Sequence, residues 1–459
     1  VTTLSARLAE FVVRTRYEDL TPRAIRTAKL CLLDAIGVSL GASGLEPACR
    51  PFAELAEGDV PRCTLLGFGR KASAESAALV NGALAHALDY EDAHDGVLLH
   101  PNAPTVPAIL AIAEAHGPVT GRDAITALVV GCEVAVRLAR AVRVPISTYG
   151  WYPPPIFAAF GAAAAGAKLL ALDEQKVLDA FSLSLCQATC SGEIIHSPQS
   201  LMRAVRDAFV ARAAVTSVLL ARGGITGFAR PFEGSAGFFA TYARNEYDPD
   251  AVTRQLGEKF EIEDISFKPW PSCRGTHGGI EAGLAFRSEL GIEPGDIERI
   301  QVRGGILMRM LSEPHETKRR PLTAIGAKFS VPFTIATALT KGHVQLGDFT
   351  VEAIRDSRVT DLAAKVDVVS DPAGHPVTTF VAVQLKNGKT HERVVTFPLG
   401  APENPISEEQ LVDKFVACAR RAAVPVDTTQ ARKFASNMLA LEQTADVGAL
   451  LPIIAPYSR

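Results

Sequence analysis

The run from Ala85 to Pro107, AHALDYEDAHDGVLLHPNAPTVP, constrains this chain more than any other. It carries His86, Asp89, Glu91, Asp92, His94, Asp95 and His100 and ends among prolines. Alanine- and leucine-rich segments with the pattern of buried helices flank it on both sides. A charge buried without a partner costs several kcal/mol or shifts its pKa until it neutralises. A fold that packs those helices must therefore partner these groups, expel them to water or put them to use.

The helical pattern extends far beyond this run. Leu4, Leu8, Phe11 and Val12 recur at helical spacing, and Thr21-Pro22 reads as an N-cap with proline in the first turn of a second helix. Helices are expected at 73–90, 104–117, 121–142, 155–171, 173–190 and 203–223. The pattern changes near Phe267. Strand-like alternation appears at 297–302, 366–369, 379–385 and 392–397, with Asn387-Gly388 as a hairpin turn between the last two. Helices are expected beside these strands at 276–289, 327–341 and 350–356. From Ser407 helix returns, with Ser407 and Gln410 placed as a capping box. The expected fold is mostly α: a large all-helical domain over 1–265, an inserted smaller α+β lid domain over 266–399, and a return to the helical domain over 400–459. A cleft between two such domains is a usual place for a small-molecule site.

With 47% apolar and 21% charged residues, the chain has the makings of a large core. A net charge of -3 without a long basic run argues against nucleic acid as a partner. The eight cysteines form no C-x-x-C pair and no tight cluster, so reduced, buried thiols in a cytoplasmic protein are expected. The most apolar run, 156–172, is alanine-rich and contains Lys168, and reads as a buried helix, not a membrane span. No P-loop, G-x-S-x-G elbow, H-E-x-x-H or strand-borne G-x-G-x-x-G is present.

Three further segments carry candidate chemistry. Tyr152 precedes Pro153-Pro154-Pro155 at the start of an apolar helix, whose positive end favours an anion; a rigid entry turn is the competing reading. Arg203 and Arg206 lie three apart on one helix, a spacing suited to gripping a carboxylate and equally common on solvated faces. In FKPWPSCRGTH (267–277), Lys268, Arg274 and His277 suit a carboxylate-binding wall or a desolvated base, with Thr276 placed to cap the next helix. Within the opening run, His86, Asp89 and Tyr90 share a helical face, and the residue before Pro101, His100, is expected to be extended.

Taken together, these segments resemble the MmgE/PrpD family. The resemblance is carried by LLDAIGVSLGA (32–42), NGALAHALDYEDAH with the later His-Pro (81–101), the PP-plus-alanine helix (153–167), FKPWPSCRGTH (267–277) and AKFSVPFTIATAL (327–339). It implies a homodimer that works without metal or organic cofactor on small polycarboxylates, handling a proton on a carbon next to a carboxylate. It also implies a site between a helical domain and a lid. Asp89, His100 and Lys268 match the family's acidic, His-Pro and Phe-Lys motifs. Ala93, Tyr152 and Phe333 stand where its cis-aconitate decarboxylases carry threonine, histidine and tyrosine, and Arg203 falls near a lysine.

Those replacements shift the expected reaction toward an epimerase acting on an acid such as iminodisuccinate. A dehydratase, a decarboxylase and a silent dimeric scaffold are the alternatives. The expected catalytic residues are Lys268, His100, Asp89 and Tyr152, with Arg203, Arg274, His277 and His86 binding substrate. Asp89 is expected to orient His100, while Glu91, Asp92, His94 and Asp95 are expected at the surface or behind the site.

Overall fold

A computed structural model describes residues 3–197, 199–371 and 373–455; the extreme ends of the expected 1–265 and 400–459 spans lie outside these. The protein is mostly α-helical, and its early helices start where their caps predict. Thr3, Thr21, Ser73, Thr120 and Asp173 each accept an N–H from the first turn of helices Leu4–Arg14, Pro22–Leu45, Ala74–Ala87, Gly121–Ala141 and Glu174–Leu185. Helices Gly121–Ala141 and Pro153–Leu169 pack closely because glycines meet at the crossing. A Cβ on Gly131 would lie 2.7 Å from the Gly161 carbonyl oxygen, and one on Gly161 2.5 Å from that of Gly131. Helix Asn102–His116 and helix Asp207–Arg222 complete this apolar stack.

Helix Pro153–Leu169, which covers most of the most apolar run, is almost wholly buried. Among the described residues Pro22–Leu45 has the length and hydropathy to cross a membrane, yet most of its apolar stretch is packed inside the protein. All cysteines except Cys186 and Cys190 are buried.

Strands Val366–Ser370, Ile297–Gly304, Thr379–Leu385 and Thr390–Val395 form a four-stranded sheet in that order. The first pair is parallel and the other two antiparallel. Gly388 takes φ +87° in the hairpin turn, as Asn-Gly predicts. Helices His277–Leu290 and Val331–Lys341 pack on each other, and the first also on the sheet. Helix Glu408–Ala419, opened by the Ser407–Gln410 capping box, packs on Pro22–Leu45.

Several boundaries move. The expected 203–223 helix is two pieces, Met202–Val205 and Asp207–Arg222, meeting at Arg206. The expected 327–341 helix breaks at Phe329 and Ser330, where Ser330 caps Val331–Lys341 by accepting from the Phe333 N–H. Helix Ala74–Ala87 stops before Asp89, which takes a left-handed φ of +48°.

Candidate active site

A two-residue ladder joins the segments that carry the candidate chemistry. Ala93 and His94 pair antiparallel with Ser266 and Ile265, setting the chain after Asp89 beside the chain before Lys268. Phe267 donates its N–H to the Gly400 carbonyl at 2.9 Å. Gly400 is required there: it adopts φ +92°, and a Cβ would lie 1.8 Å from the Phe267 carbonyl oxygen. The 267–277 segment is buried along most of its length, so it is no exposed linker.

Lys268 is fully buried and donates to Asp89 twice, to Oδ1 at 2.5 Å and to the carbonyl oxygen at 3.1 Å. The left-handed backbone at Asp89 turns both oxygens to one ammonium; aspartate tolerates that conformation better than most residues. Burial disfavours both charges, but the pairing wins: the Asp89 carboxyl is held below its usual range and the Lys268 ammonium above its own. An ammonium has three N–H donors, so Lys268 keeps one beyond its two bonds to Asp89.

Glu91 is the centre of the adjoining cluster. Its Oε1 accepts from His86 Nδ1 in a short hydrogen bond and lies 2.9 Å from His100 Nδ1. The His100 Nδ1 also lies 3.0 Å from the Asp92 carbonyl oxygen, which fixes it as the protonated nitrogen. The two imidazole rings are 5.0 Å apart. Burial, and then the nearby Arg206 charge, hold His86 down to about 3 against the pull of Glu91. His86 is therefore neutral near pH 7, with Nδ1 donating to Glu91 and a buried, unpartnered Nε2. Burial opposes the Glu91 charge, yet His86, Lys268 and His100 together keep its carboxyl well below the ordinary value.

This corrects one expectation: Glu91 fixes His100, whereas Asp89 is committed to Lys268. Of the two places expected for Glu91, Asp92 and His94, the surface is excluded, since all three are buried. Asp92 accepts from Asn102 at 2.8 Å, His94 lies 3.4 Å from Glu261, and Asp95 pairs with Arg274.

Tyr152 caps the Pro153–Leu169 helix by backbone, with its N–H donated to the Cys190 carbonyl. The expected amide-lined anion site at this helix start is closed chemically, because Pro153, Pro154 and Pro155 have no N–H. The positive charge comes instead from two arginines across the Tyr152 ring, Arg206 at 5.2 Å and Arg203 at 5.8 Å from its centroid. Arg206 is 3% exposed, and its Nε and Nη2 lack hydrogen-bond partners; Arg203 Nε lacks one too. Asp207 Oδ2 lies 3.6 Å from Arg206 Nε, an ion pair without a hydrogen bond; buried guanidinium donors left without hydrogen bonds are costly, and a further carboxylate is the group that fits them.

Arg274 and His277 differ. Arg274 donates to Asp95 at 3.0 Å and to the carbonyls of Leu399 and Pro398 at 2.8 and 3.0 Å, with His277 Nδ1 at 3.2 Å. His277 Nε2 faces the Ser272 carbonyl. Both expected substrate ligands spend their polar atoms on holding the 267–277 segment. Thr276 bonds to Ser272 and Cys273 and gives the next helix no side-chain cap.

His86, Asp89, Glu91 and His100 each bring a ligand-type atom within 4.8 Å of the others. Lys268 already supplies the positive charge at Asp89 in this set. His94, Glu261 and Asp264 form a second such group, whose carboxylates already face Arg140 and Lys259.

Sequence reasoning missed Lys414, whose ammonium lies 2.7 Å from Asp34 and donates to the Tyr90 and Lys268 carbonyls at 2.6 and 3.0 Å. It ties the two halves of the site from below. A lysine in a capped C-terminal helix reads as solvated, and Asp34 lies inside an apolar helix, which was the available signal.

Residues 6–250 match the MmgE/PrpD N-terminal domain and residues 270–440 the MmgE/PrpD C-terminal domain. The cis-aconitate decarboxylase-like protein oryM of Aspergillus oryzae is 29% identical, over 98% of this chain and 97% of its own. The cis-aconitate decarboxylases of Aspergillus terreus and Homo sapiens are 24% and 25% identical, over 95% and 94% of this chain and 93% and 91% of theirs. These relatives favour the decarboxylase alternative over the epimerase expected from the replaced side chains. Two of those replacements have structural employment: Ala93 sits in the ladder with Ser266, and Phe333 is buried 6.1 Å from the Phe349 ring.

Proposed function

Because the chain belongs to the MmgE/PrpD family, a family with lyase-type enzymes among its members, we propose that it decarboxylates an unsaturated polycarboxylic acid of the cis-aconitate type. One observation carries the reading: a buried cluster in which Lys268 has a spare donor and a Glu91-held histidine pair lies near two arginines with N–H donors that make no hydrogen bond.

In such an acid the departing carboxylate is one carbon removed from a C=C bond. Its C–C bond breaks, that electron pair forms a new double bond, and the old alkene pair shifts to the far carbon, which takes a proton. The far carbon carries a carboxylate, so charge accumulates there. In this reading Arg203 and Arg206 hold the carboxylates that stay, and the third N–H of Lys268 faces the developing charge. Preorganised donors in a site closed to water stabilise such charge more than water does. His100, its Nδ1–H fixed by Glu91 and the Asp92 carbonyl, delivers the proton from Nε2 as the doubly protonated imidazolium and is left in the neutral Nδ1–H form. Tyr152, lying against both arginines, sets the wall opposite. Asp89 keeps Lys268 charged.

The test is incubation of the protein with cis-aconitate in deuterated water, followed by NMR and CO2 release. The expected result is stoichiometric CO2 and a dicarboxylate carrying one deuterium on the carbon that was protonated. Exchange of an α-hydrogen with all carboxylates retained would overturn the proposal and restore the epimerase; so would loss or gain of water in favour of a dehydratase.

A further inference from the structure

One amine in the wall of the cavity beside Arg203 has no task in the chemistry above. Lys318 lines that cavity from the short helix His315–Arg319. Its backbone is held in place, because its carbonyl accepts from Ser330 Oγ, the residue that caps Val331–Lys341. Its ammonium donates to the Phe329 carbonyl at 2.6 Å and pairs with no carboxylate among the described residues. Burial, and then the Arg203 charge, push it down to about 8. At pH 7 about one Lys318 in ten is then the free amine, against fewer than roughly one in a thousand for an ordinary lysine.

Arg203 meets Lys318 at Phe329. Lys318 Nζ contacts the Phe329 carbonyl, and the Arg203 guanidinium stacks 3.5 Å from the Phe329 ring centroid. Arg203 Nη2 contacts Met310 Sδ at 3.3 Å, while its Nε has no hydrogen-bond partner. The other titratable side chains on the cavity wall are His196, Arg309, Glu313 and His315, and Arg309 and Glu313 are paired with each other at 3.2 Å. The Cys273 thiol, on the far side of the wall, acts on Lys318 more weakly than Arg203 does. A neutral amine is a nucleophile toward CO2, and lysine reaches that state readily when it is desolvated. The anion formed is planar and carboxylate-like, which is the shape a guanidinium donor fits.

We propose that Lys318 is a carbamylation site, which takes CO2 on Nζ as a carbamate held by Arg203. The Nζ lone pair forms an N–C bond to CO2, one C=O pair moves onto oxygen, and Nζ gives one proton to water. Nothing is oxidised or reduced. The N–H that remains on Nζ still serves the Phe329 carbonyl. The carbamate occupies the Arg203 donor that the proposed function gives to a substrate carboxylate, so CO2 set free in turnover feeds back on the protein that releases it. That feedback rests on the proposed function. The modification itself does not, because dissolved CO2 is enough to form it.

The test is to equilibrate the full chain with carbon-13-labelled CO2 and bicarbonate and to read NMR for a protein-bound carbamate carbonyl. Triethyloxonium ion then traps the carbamate as its ethyl ester, and mass spectrometry of the digest places it. The expected result is label on Lys318 that rises about tenfold or more from pH 6 to pH 8 at constant dissolved CO2. Lys318→Arg keeps the charge and a donor to Phe329 but not the nucleophile, and the carbamate signal is expected to vanish. Arg203→Gln is expected to lower the labelled fraction by about tenfold, through loss of a charge-assisted hydrogen bond. In assays with cis-aconitate, added CO2 is expected to raise KM severalfold in the parent and to leave it unchanged in Lys318→Arg. No trapped carbamate on Lys318 at saturating CO2, or a signal that persists in Lys318→Arg, would overturn the proposal. Equal labelling in Arg203→Gln would remove Arg203 as its partner. If the carbamate forms and cis-aconitate releases no CO2, the modification stands and the proposed function fails.

Discussion

Lys268 and Lys414 are both buried and both paired with an aspartate, yet they are built for different work. Lys414 faces three acceptors, Asp34 and the carbonyls of Tyr90 and Lys268, which match the three N–H donors of an ammonium. Lys268 meets acceptors from Asp89 alone and keeps a donor in hand. The same contrast separates Arg274, each of whose three nitrogens has an acceptor, from Arg206, whose Nε and Nη2 make no hydrogen bond although Asp207 lies 3.6 Å from Nε. On the proposed function, spare hydrogen-bond capacity at a buried cation marks a group that meets substrate, and its absence one that holds the fold.

The largest effect that can break this comparison is on turnover. Lys268→Met is expected to lower kcat by about 10² to 10⁴-fold, the usual contribution of a positioned acid–base or charge-stabilising group. Lys414→Met, assayed where it remains folded, is expected to keep most of it. Both variants strand a buried carboxylate, so both should lose stability, by about 3–5 kcal/mol in denaturant titrations. For Lys414→Met most of that loss should return when Asp34→Leu is added, because the unpaired charge is then gone. Equal losses of kcat in the two lysine variants would sink the distinction.

A smaller effect tests the two arginines. Arg206→Lys keeps the charge but loses the planar fork, and a charge-assisted hydrogen bond is worth about 1.5–3 kcal/mol. KM is expected to rise about tenfold to 100-fold with Tm nearly unchanged. Arg274→Lys should do the reverse, lowering Tm while leaving KM close to its starting value. A raised KM in Arg274→Lys with Tm intact would return that residue to the substrate.

The sequence made the helices legible because caps and apolar spacing are local, and the structure places Thr21, Ser407 and the Asn387-Gly388 turn as their local chemistry requires. The pairing of Asp89 with Lys268 was not local. Lys268 lies far along the chain from Asp89, and the Ala93–Ser266 ladder and Lys414 bring them together. A place at the surface for Glu91 and Asp92 is ruled out because the helix ends before the left-handed Asp89 and both side chains are buried. Arg274 was chosen for its charge and its neighbours in sequence; what disqualifies it is satisfaction by the Leu399 and Pro398 carbonyls, more than a hundred residues away, which no spacing rule anticipates. The shift of expected chemistry toward an epimerase had the same root. Missing side chains at Ala93 and Phe333 were weighed as lost catalysis, although both positions serve the packing around the site.

A third effect, on the pH dependence of stability, concerns Asp92, which is buried near the Lys414–Asp34 pair. Burial, and then the neighbouring Asp34 charge, push its carboxyl up to about 8 against a donor from Asn102. A raised carboxyl binds its proton in the folded state after the unfolded chain, with an ordinary value of about 4, has released its own. The native state therefore holds the extra proton between about pH 4 and about pH 8, and stability falls across that window as pH rises. Asparagine has the shape of the protonated side chain and nothing to release. Asp92→Asn is thus expected to flatten the stability curve between about pH 5 and about pH 8, matching the parent near the acid end and exceeding it near the alkaline end. The contributions of Asp89 and Glu91, whose carboxyls are held low, are lost only at more acid pH and occur in both proteins, so they drop out of the difference. Denaturant titrations at three pH values decide it: parallel curves for the two proteins would mean that Asp92 is ionised in the fold. It would then belong with Asp89 among the working carboxylates and not with the structural pair beneath them.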